Sequence, residues 1–416
     1  MKLKFKLACL ILMLQIVGLN LFGQTGLTLR EAIHIAQKNN PYLSAEKLNV
    51  DLAQTDVKTA SLRPNPSVGL SVVQVPFAKD FVDNTRITDP QNRQVTYQVS
   101  KPIQVKGQRK YKLEQANDAL ELSRVNLVDY ERNFLGEVSQ KWLDVWYASQ
   151  KLGLIYKAKS NSDTLLNINA IRLRNQVITP TEYTRTEIVC QQYNLMIVGA
   201  KQTVTTETNN LSVLLGDSIK KEVDAVGFSI EPIAVFDTLL NDALRNRADI
   251  LSAQKTAQAA QTNILLQKAN SYPQPDIGVS YGAQNKVPYL GVSLAIPFPV
   301  YDRNQGQIDK ARIALNQANT LSSANYKKVR TEISNAYQEY ITSKSTFEKY
   351  EELMRESDTV LEKVKISYVK GGTTILDYLE AERSWFDMEN SRFDALYTYR
   401  KNYLQLLIAA NLIFNI

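Results

Sequence analysis

The residues able to do chemistry are few, and their spacing makes no catalytic set. The single histidine, His34, lies between Ile33 and Ile35, where a packing or helix-surface role is expected. Cys9 sits in an apolar N-terminal run and Cys190 stands alone, so no internal disulfide can form. No Cys or His pair has the spacing of metal ligands, and no cofactor is expected. Adjacent carboxylates such as Glu351 and Glu352 read as a solvated helix face. Gly371-Gly372 interrupts a helical pattern and reads as a helix break, not a phosphate cradle. What remains is charge. Glu348, Glu351, Glu352, Arg355, Glu356 and Asp358 crowd one helical stretch. Glu352 and Glu356, four apart, share a face, as do Glu348 and Glu352. Repeated about an axis, such carboxylates would form a ring that favours cations. The residues therefore point to passive electrostatics and away from an enzyme.

The elements around these residues begin with an export signal. Lys2, Lys4 and Lys6 precede an apolar run from Leu7 to Leu19, with small residues near Gly23. Residues 1–23 read as a signal peptide cleaved near Gly23–Gln24. Its three lysines lower the net charge from +7 to +4, too mild and dispersed for a nucleic-acid partner. Charged residues are 22% and hydrophobic residues 44%, which excludes both a disordered chain and a helical membrane protein. No later run approaches the roughly 20 apolar residues of a spanning helix.

One conversion recurs along the chain. Leu290, Val292, Leu294 and Ile296 alternate with small residues, the period of a strand. Pro297 and Pro299 end the ladder, and Asp302, Asn304 and Gly306 supply turn chemistry. From Ile308 the period becomes helical through Ala311, Leu315 and Ala318. The first half reads likewise. A helix capped at Thr28 by a capping box with Glu31 runs to Ser61. Strands follow over about 66–76 and 93–102, then a helix from Gln108 to about Gln150. The second half restarts near Asp237, with strands over about 276–284 and 287–297. Pro64-Asn-Pro66 matches Pro273-Gln-Pro275, and residues 177–187 align with 372–382. The chain therefore divides into a first repeat, 24–235, and a second, 236–416, a duplication rather than a solenoid.

Each strand is about ten residues long, enough to cross a bilayer in a tilted barrel. A soluble sandwich would also use one apolar face per strand, but almost everything else in the chain is helical. Four strands cannot close a small barrel, and open edges are not tolerated in lipid, so a membrane reading requires several chains to share one barrel. Helices of about 45 residues, with alanine-rich seams, suit coiled-coil packing. A periplasmic helical adaptor or scaffold without a barrel would explain the helices and leave the strands unexplained.

The segments IPFPVYDRNQGQIDKA (296–311), PNPSVGLSV (64–72), PQPDIGVSY (273–281) and YVKGGTTILDYLEAERSW (368–385) resemble the TolC-like outer-membrane efflux proteins, in particular the cobalt–zinc–cadmium subgroup. The first strand exit, KPIQVKGQRKY, lacks the second's DRNQ run. The resemblance implies a mainly α fold with a transmembrane β-barrel part. In it a homotrimer shares a twelve-stranded barrel in outer-membrane lipid, and long helices form an α-helical barrel through the periplasm. It further implies a periplasmic adaptor (membrane fusion protein) and an inner-membrane RND-type pump as partners. The function implied is passive efflux of small toxic solutes, heavy-metal cations among them.

Two sites are expected within that frame. Aligning Glu137 with Glu332, and Trp142 with Tyr337, places adaptor-docking hairpin tips at Ser149 and Gly153 and at Lys344 and Ser345. The resemblance implies a periplasmic entrance narrowed by acidic residues, for which Glu352, Glu356 and Asp358 are the candidates.

Overall fold

The computed structural model describes residues 26–218, 223–224, 228, 230–284 and 286–415. The expected signal peptide, residues 1–23, lies outside the described residues, as does Asn285 in the turn expected between the last two strands. In chain order the elements are α1 (Leu29–Asn39), α2 (Pro41–Ser61), β1 (Ser67–Gln74), β2 (Arg93–Pro102), α3 (Gln108–Arg174) and α4 (Pro180–Leu215). The same order follows again as α5 (Phe236–Asn246), α6 (Ala248–Asn270), β3 (Asp276–Gln284), β4 (Val287–Ala295), α7 (Gln305–Val369) and α8 (Ile375–Ala409). Among the described residues no helix is long and apolar enough to cross a membrane.

Contacts group the chain into two units, each drawing on both sequence halves. A sheet unit comprises Glu46–Asp129 and Ala248–Lys327. It contains all four strands, in the order β1-β2-β3-β4 and antiparallel throughout. Its helices are joined by polar contacts. Asp118 accepts bonds from Gln258 Nε2 (2.8 Å) and Thr262 Oγ1 (2.6 Å). Gln108 Nε2 donates to the carbonyls of Ala269 (3.1 Å) and Tyr272 (2.9 Å). In the second strand-to-helix exit, side chains cap the backbone. Asn304, in the left-handed region at φ 62, donates its N–H to Asp302 Oδ1 (2.8 Å) and its Nδ2 to the Gln267 carbonyl (2.8 Å). The DRNQ run is thus a turn whose polar groups are satisfied within it and, through Asn304, by Gln267 of α6.

A helical unit comprises the described residues within 1–45, 130–247 and 328–416. Part of its core forms around Trp142, fully buried, whose indole N–H donates to the Leu27 carbonyl (2.9 Å) and whose ring packs against Phe228 at 5.8 Å. A second cluster joins Leu154, Ile155 and Ala158 of α3, Tyr193 and Ile197 of α4, Met354 of α7 and Trp385 of α8. Arg247 is buried at the α5–α6 break, donating to the Ala409 carbonyl (2.9 Å) and to Glu332 (2.9 Å).

Two helix extents differ from the sequence expectation. The first helix does not run unbroken to Ser61. Asn40 ends α1, and its Oδ1 accepts from Leu43 N (3.0 Å), restarting the chain as α2 with Pro41 at its first position. The third helix does not stop near Gln150. It runs for 67 residues, and its counterpart α7 for 65. The reason is visible in the buried positions of α3: Val138, Trp142, Val145, Ala148, Ile155, Ala158, Ser162 and Leu165 keep a helical spacing across the expected break. A Cβ added at Gly153 would meet nothing within 4 Å beyond its own helix backbone, and its φ is not strained, so this glycine weakens the helix without ending it.

Candidate channel wall and helix turns

The sheet sorts its side chains into two faces by register alone. Val68, Val99, Val279 and Val292 form one row across the four strands, and Leu70, Tyr97, Tyr281 and Leu290 the next. Val72 and Val95 continue that face in one direction, and Ile277 and Leu294 in the other. These apolar residues are largely exposed, Val68 and Val292 at 80% each. The opposite face carries Ser67, Ser100, Gly278 and Ser293, then Gly69, Gln98, Ser280 and Gly291, then Ser71, Thr96, Gly282 and Tyr289. Its polar groups bond to one another: Gln94 Nε2 donates to Tyr289 Oη (2.6 Å), Thr96 Oγ1 lies 2.8 Å from the same oxygen, and Gln98 Nε2 donates to Ser293 Oγ (3.2 Å). Glycine is needed where that face is crowded, since a Cβ on Gly278 would lie 2.6 Å from Ser293 Oγ. The sheet thus exposes an apolar face and satisfies a polar one. In this four-stranded order β1 and β4 each leave one edge unpaired.

The second candidate is a pair of turns in the helical unit, after α3 and after α7. They share one hydrogen-bond pattern. Gln176, at φ 54, donates its N–H to the Leu173 carbonyl, and Val177 N reaches back to Arg172 (2.8 Å). Gly371, at φ 80, and Gly372 repeat this with Tyr368 and Ser367. Both are Schellman closures that satisfy the last carbonyls of a helix. Each next helix opens with a capping box, Thr179 with Glu182 and Thr374 with Asp377. The bonds from Thr179 hold the Glu182 carboxyl below the ordinary range, and Thr374 does the same to Asp377. The turns are tied together by Arg172, which donates to the Tyr368 carbonyl (2.8 Å) and stacks 4.3 Å over its ring. The Tyr368 hydroxyl donates to Asn169 Oδ1 (2.6 Å).

These turns correct the expected tips. Ser149 and Gly153 lie inside α3, and Lys344 and Ser345 inside α7. Ser149 Oγ bonds the Val145 carbonyl one turn back, and Lys344 stands 4.0 Å from Glu348. The sequence offset that pairs Glu137 with Glu332 does carry Gln176 onto Gly371 and Thr179 onto Thr374. Only the place of the reversal differs, because the periodic seam continues through a glycine that a helix tolerates.

The acidic stretch expected beyond the tip at Lys344 and Ser345 lies instead within α7, ahead of the second turn. Glu352 and Glu356 are exposed. Asp358 accepts the Trp385 indole N–H (2.8 Å), and Glu351 and Glu389 both bond Arg392. A carboxylate not singled out from the sequence is Glu382, 1% exposed, with neither oxygen hydrogen-bonded. The spacing Tyr378, Glu382, Trp385, Glu389 could have located it, since it puts both glutamates on the buried stripe of α8. Among the described residues no group of three or more His, Cys, Asp or Glu could hold a metal ion.

Known proteins share this geometry. A model of the family described as outer membrane efflux protein matches residues 32–217 and 239–411. The cobalt-zinc-cadmium resistance protein CzcC of Cupriavidus metallidurans is 22% identical over 366 residues, 86% of this chain and 84% of CzcC. A membrane protein from Pseudomonas aeruginosa superposes with a TM-score of 0.78 at 17% identity over 92% of both chains. CusC does so with a TM-score of 0.76 at 18% identity over 94% of this chain and 95% of its own. At such identities the structural likeness is one of fold.

Proposed function

We propose, from the premise that this chain belongs to the outer membrane efflux protein family, that it works as a homotrimer whose three sheets close one barrel. As a family member it is an outer-membrane efflux channel extending into the periplasm, part of a tripartite system with an adaptor and a pump, and not an enzyme. The alternative of a periplasmic adaptor without a barrel falls with family membership. The observation that carries the trimer is the sheet itself: an exposed apolar face, a bonded polar face and two unpaired edges. Lipid tolerates the first and not the last, so edges must meet edges of other copies. The apolar rows would face lipid and the Ser, Thr and Gln rows a watery lumen. Membrane fractionation with cross-linking tests this: detergent-extracted outer-membrane trimers are expected, and an extracted monomer would sink it.

The halves 24–235 and 236–416 each supply one strand pair and one helical turn, which suits a duplicated ancestor. The adaptor-docking role expected at Ser149, Gly153, Lys344 and Ser345 moves to the turns at 175–179 and 370–374, where matching exposed backbone is offered twice per chain. The carboxylates of Glu352 and Glu356 remain the candidate ring, with Asp358 held back by Trp385. They stand roughly 14 to 18 residues before the turn, ~20–27 Å along the helix. A ring there would line the helical wall above the mouth.

The proposed cargo is heavy-metal cations, supported by the metals named in the cobalt-zinc-cadmium resistance protein CzcC. A strain lacking this channel, given the gene back, should regain tolerance to zinc, cobalt and cadmium. Recovery of drug tolerance alone would assign small organic toxins instead.

A further inference from the structure

The buried stripe of α8 runs Ile375, Tyr378, Glu382, Trp385 and Glu389, so two carboxylates occupy positions that the packing reserves for apolar side chains. They are treated differently. Glu389 is held on both oxygens by Arg392, through Nε at 2.6 Å and Nη2 at 3.0 Å, and Arg392 also reaches Glu351 at 2.7 Å. Glu382 is 1% exposed and neither of its oxygens has a hydrogen-bond partner. A buried, unbonded carboxylate is tolerated as the neutral acid and strongly disfavoured as the anion.

Its surroundings offer little to hold a negative charge. From α4 the thiol of Cys190 and the phenol of Tyr193 are near enough to feel its charge, and from its own helix Tyr378. From α7 comes a cation, Lys365, which favours ionisation without bonding the carboxylate. From α3, Ser162 meets the Cys190 sulfur at 3.2 Å, and the nearby charges Lys159 and Asp163 are paired with each other at 2.5 Å. Burial outweighs Lys365 and pushes the Glu382 carboxyl up to about 7.

We propose that Glu382 is a proton-operated latch in the seam of α4, α7 and α8 beside the second turn. With the acid neutral the seam closes over it. When the proton leaves, the anion draws water and the three helices part locally. Glu389, one heptad on from Glu382, stays closed because Arg392 neutralises it. On the efflux-channel reading, loosening here would widen the helical end nearest the turns, so the latch would make the channel sensitive to the pH of its compartment.

The test is amide hydrogen exchange on the full-length protein in detergent at pH 5.5 and 8.5, corrected for the intrinsic pH dependence of exchange. In the wild type, peptides covering 186–197 and 375–389 should exchange about tenfold faster at the higher pH. Peptides in the sheet unit should not change. Glu382→Gln and Glu382→Leu should abolish the difference, the second guarding against misfit of the amide. The proposal is overturned if the wild type shows no pH effect in this seam, or if both variants keep it. Single-channel conductance rising between these pH values in the wild type and not in Glu382→Leu would tie the latch to the pore. If exchange responds while conductance stays flat, the latch stands, and the claim that it widens the channel fails.

Discussion

At the scale of single residues, the strand faces make the sharpest demand. Val99 and Thr96 sit on the same strand, three positions apart and on opposite faces, and each lies within its ladder on both sides. If the apolar face meets lipid, Val99→Arg should hinder assembly by about 2–4 kcal/mol, and Val95→Arg likewise, while Thr96→Arg should assemble. Heat-modifiable trimer bands in native gels would measure this, and equal tolerance at both faces would contradict the assignment. The basis of the difference is solvation: a guanidinium in hydrocarbon has no partner, whereas in the lumen it keeps water.

At the scale of elements, the two turns carry the argument. Each couples a Schellman closure to a capping box, which sets the reversal to five residues and leaves no slack. Thr374→Ala should fray the start of α8 at a cost of about 1 kcal/mol, read as faster exchange in its first turn. Glu182 and Asp377 add an acid limit. Their carboxyls are held below their ordinary values, so their contribution is present above the ordinary carboxylate range and is lost as pH falls through the lowered value. The turns should therefore loosen in strong acid, the opposite sense to Glu382, whose raised value favours the closed seam at low pH. Asp377→Asn with Glu182→Gln should remove the acid response at the turns alone.

At the scale of the whole molecule, the predictions concern assembly and docking. Cysteines placed on the polar face of the two edge strands, Ser71→Cys on β1 and Ser293→Cys on β4, should be joined between chains by a short bifunctional thiol reagent. Closed trimers rather than open ladders are the expected product. Cys190 is buried and should not compete. Val177→Glu with Lys370→Glu, at exposed turn residues, should abolish export with trimers intact. Charged substitution at Gly153 or Ser345, inside helices, should leave docking unaffected, and loss of export there would return the docking site to mid-helix.

The division between sequence and tertiary structure follows interaction range. Strand positions were legible because the two-residue period and the flanking prolines act locally. Val68, Tyr97, Val279 and Leu294 fall on one face by alternation alone, whatever strand pairs with which. The internal offset was legible too, and it maps one turn onto the other. The Gly371-Gly372 break was legible as well; what the chain order could not reveal is that α3 and α7 both run on through the expected tips to reverse there and at Gln176. Gly153 stays inside α3, whereas Gln176 and Gly371 take the left-handed conformation that closes a helix, and the two turns pack through Arg172 and Tyr368. Nor could it separate Glu382 from Glu389, two glutamates one heptad apart on the same stripe. A buried charge is decided by what reaches it in the packed seam, and Arg392 holds only one of them.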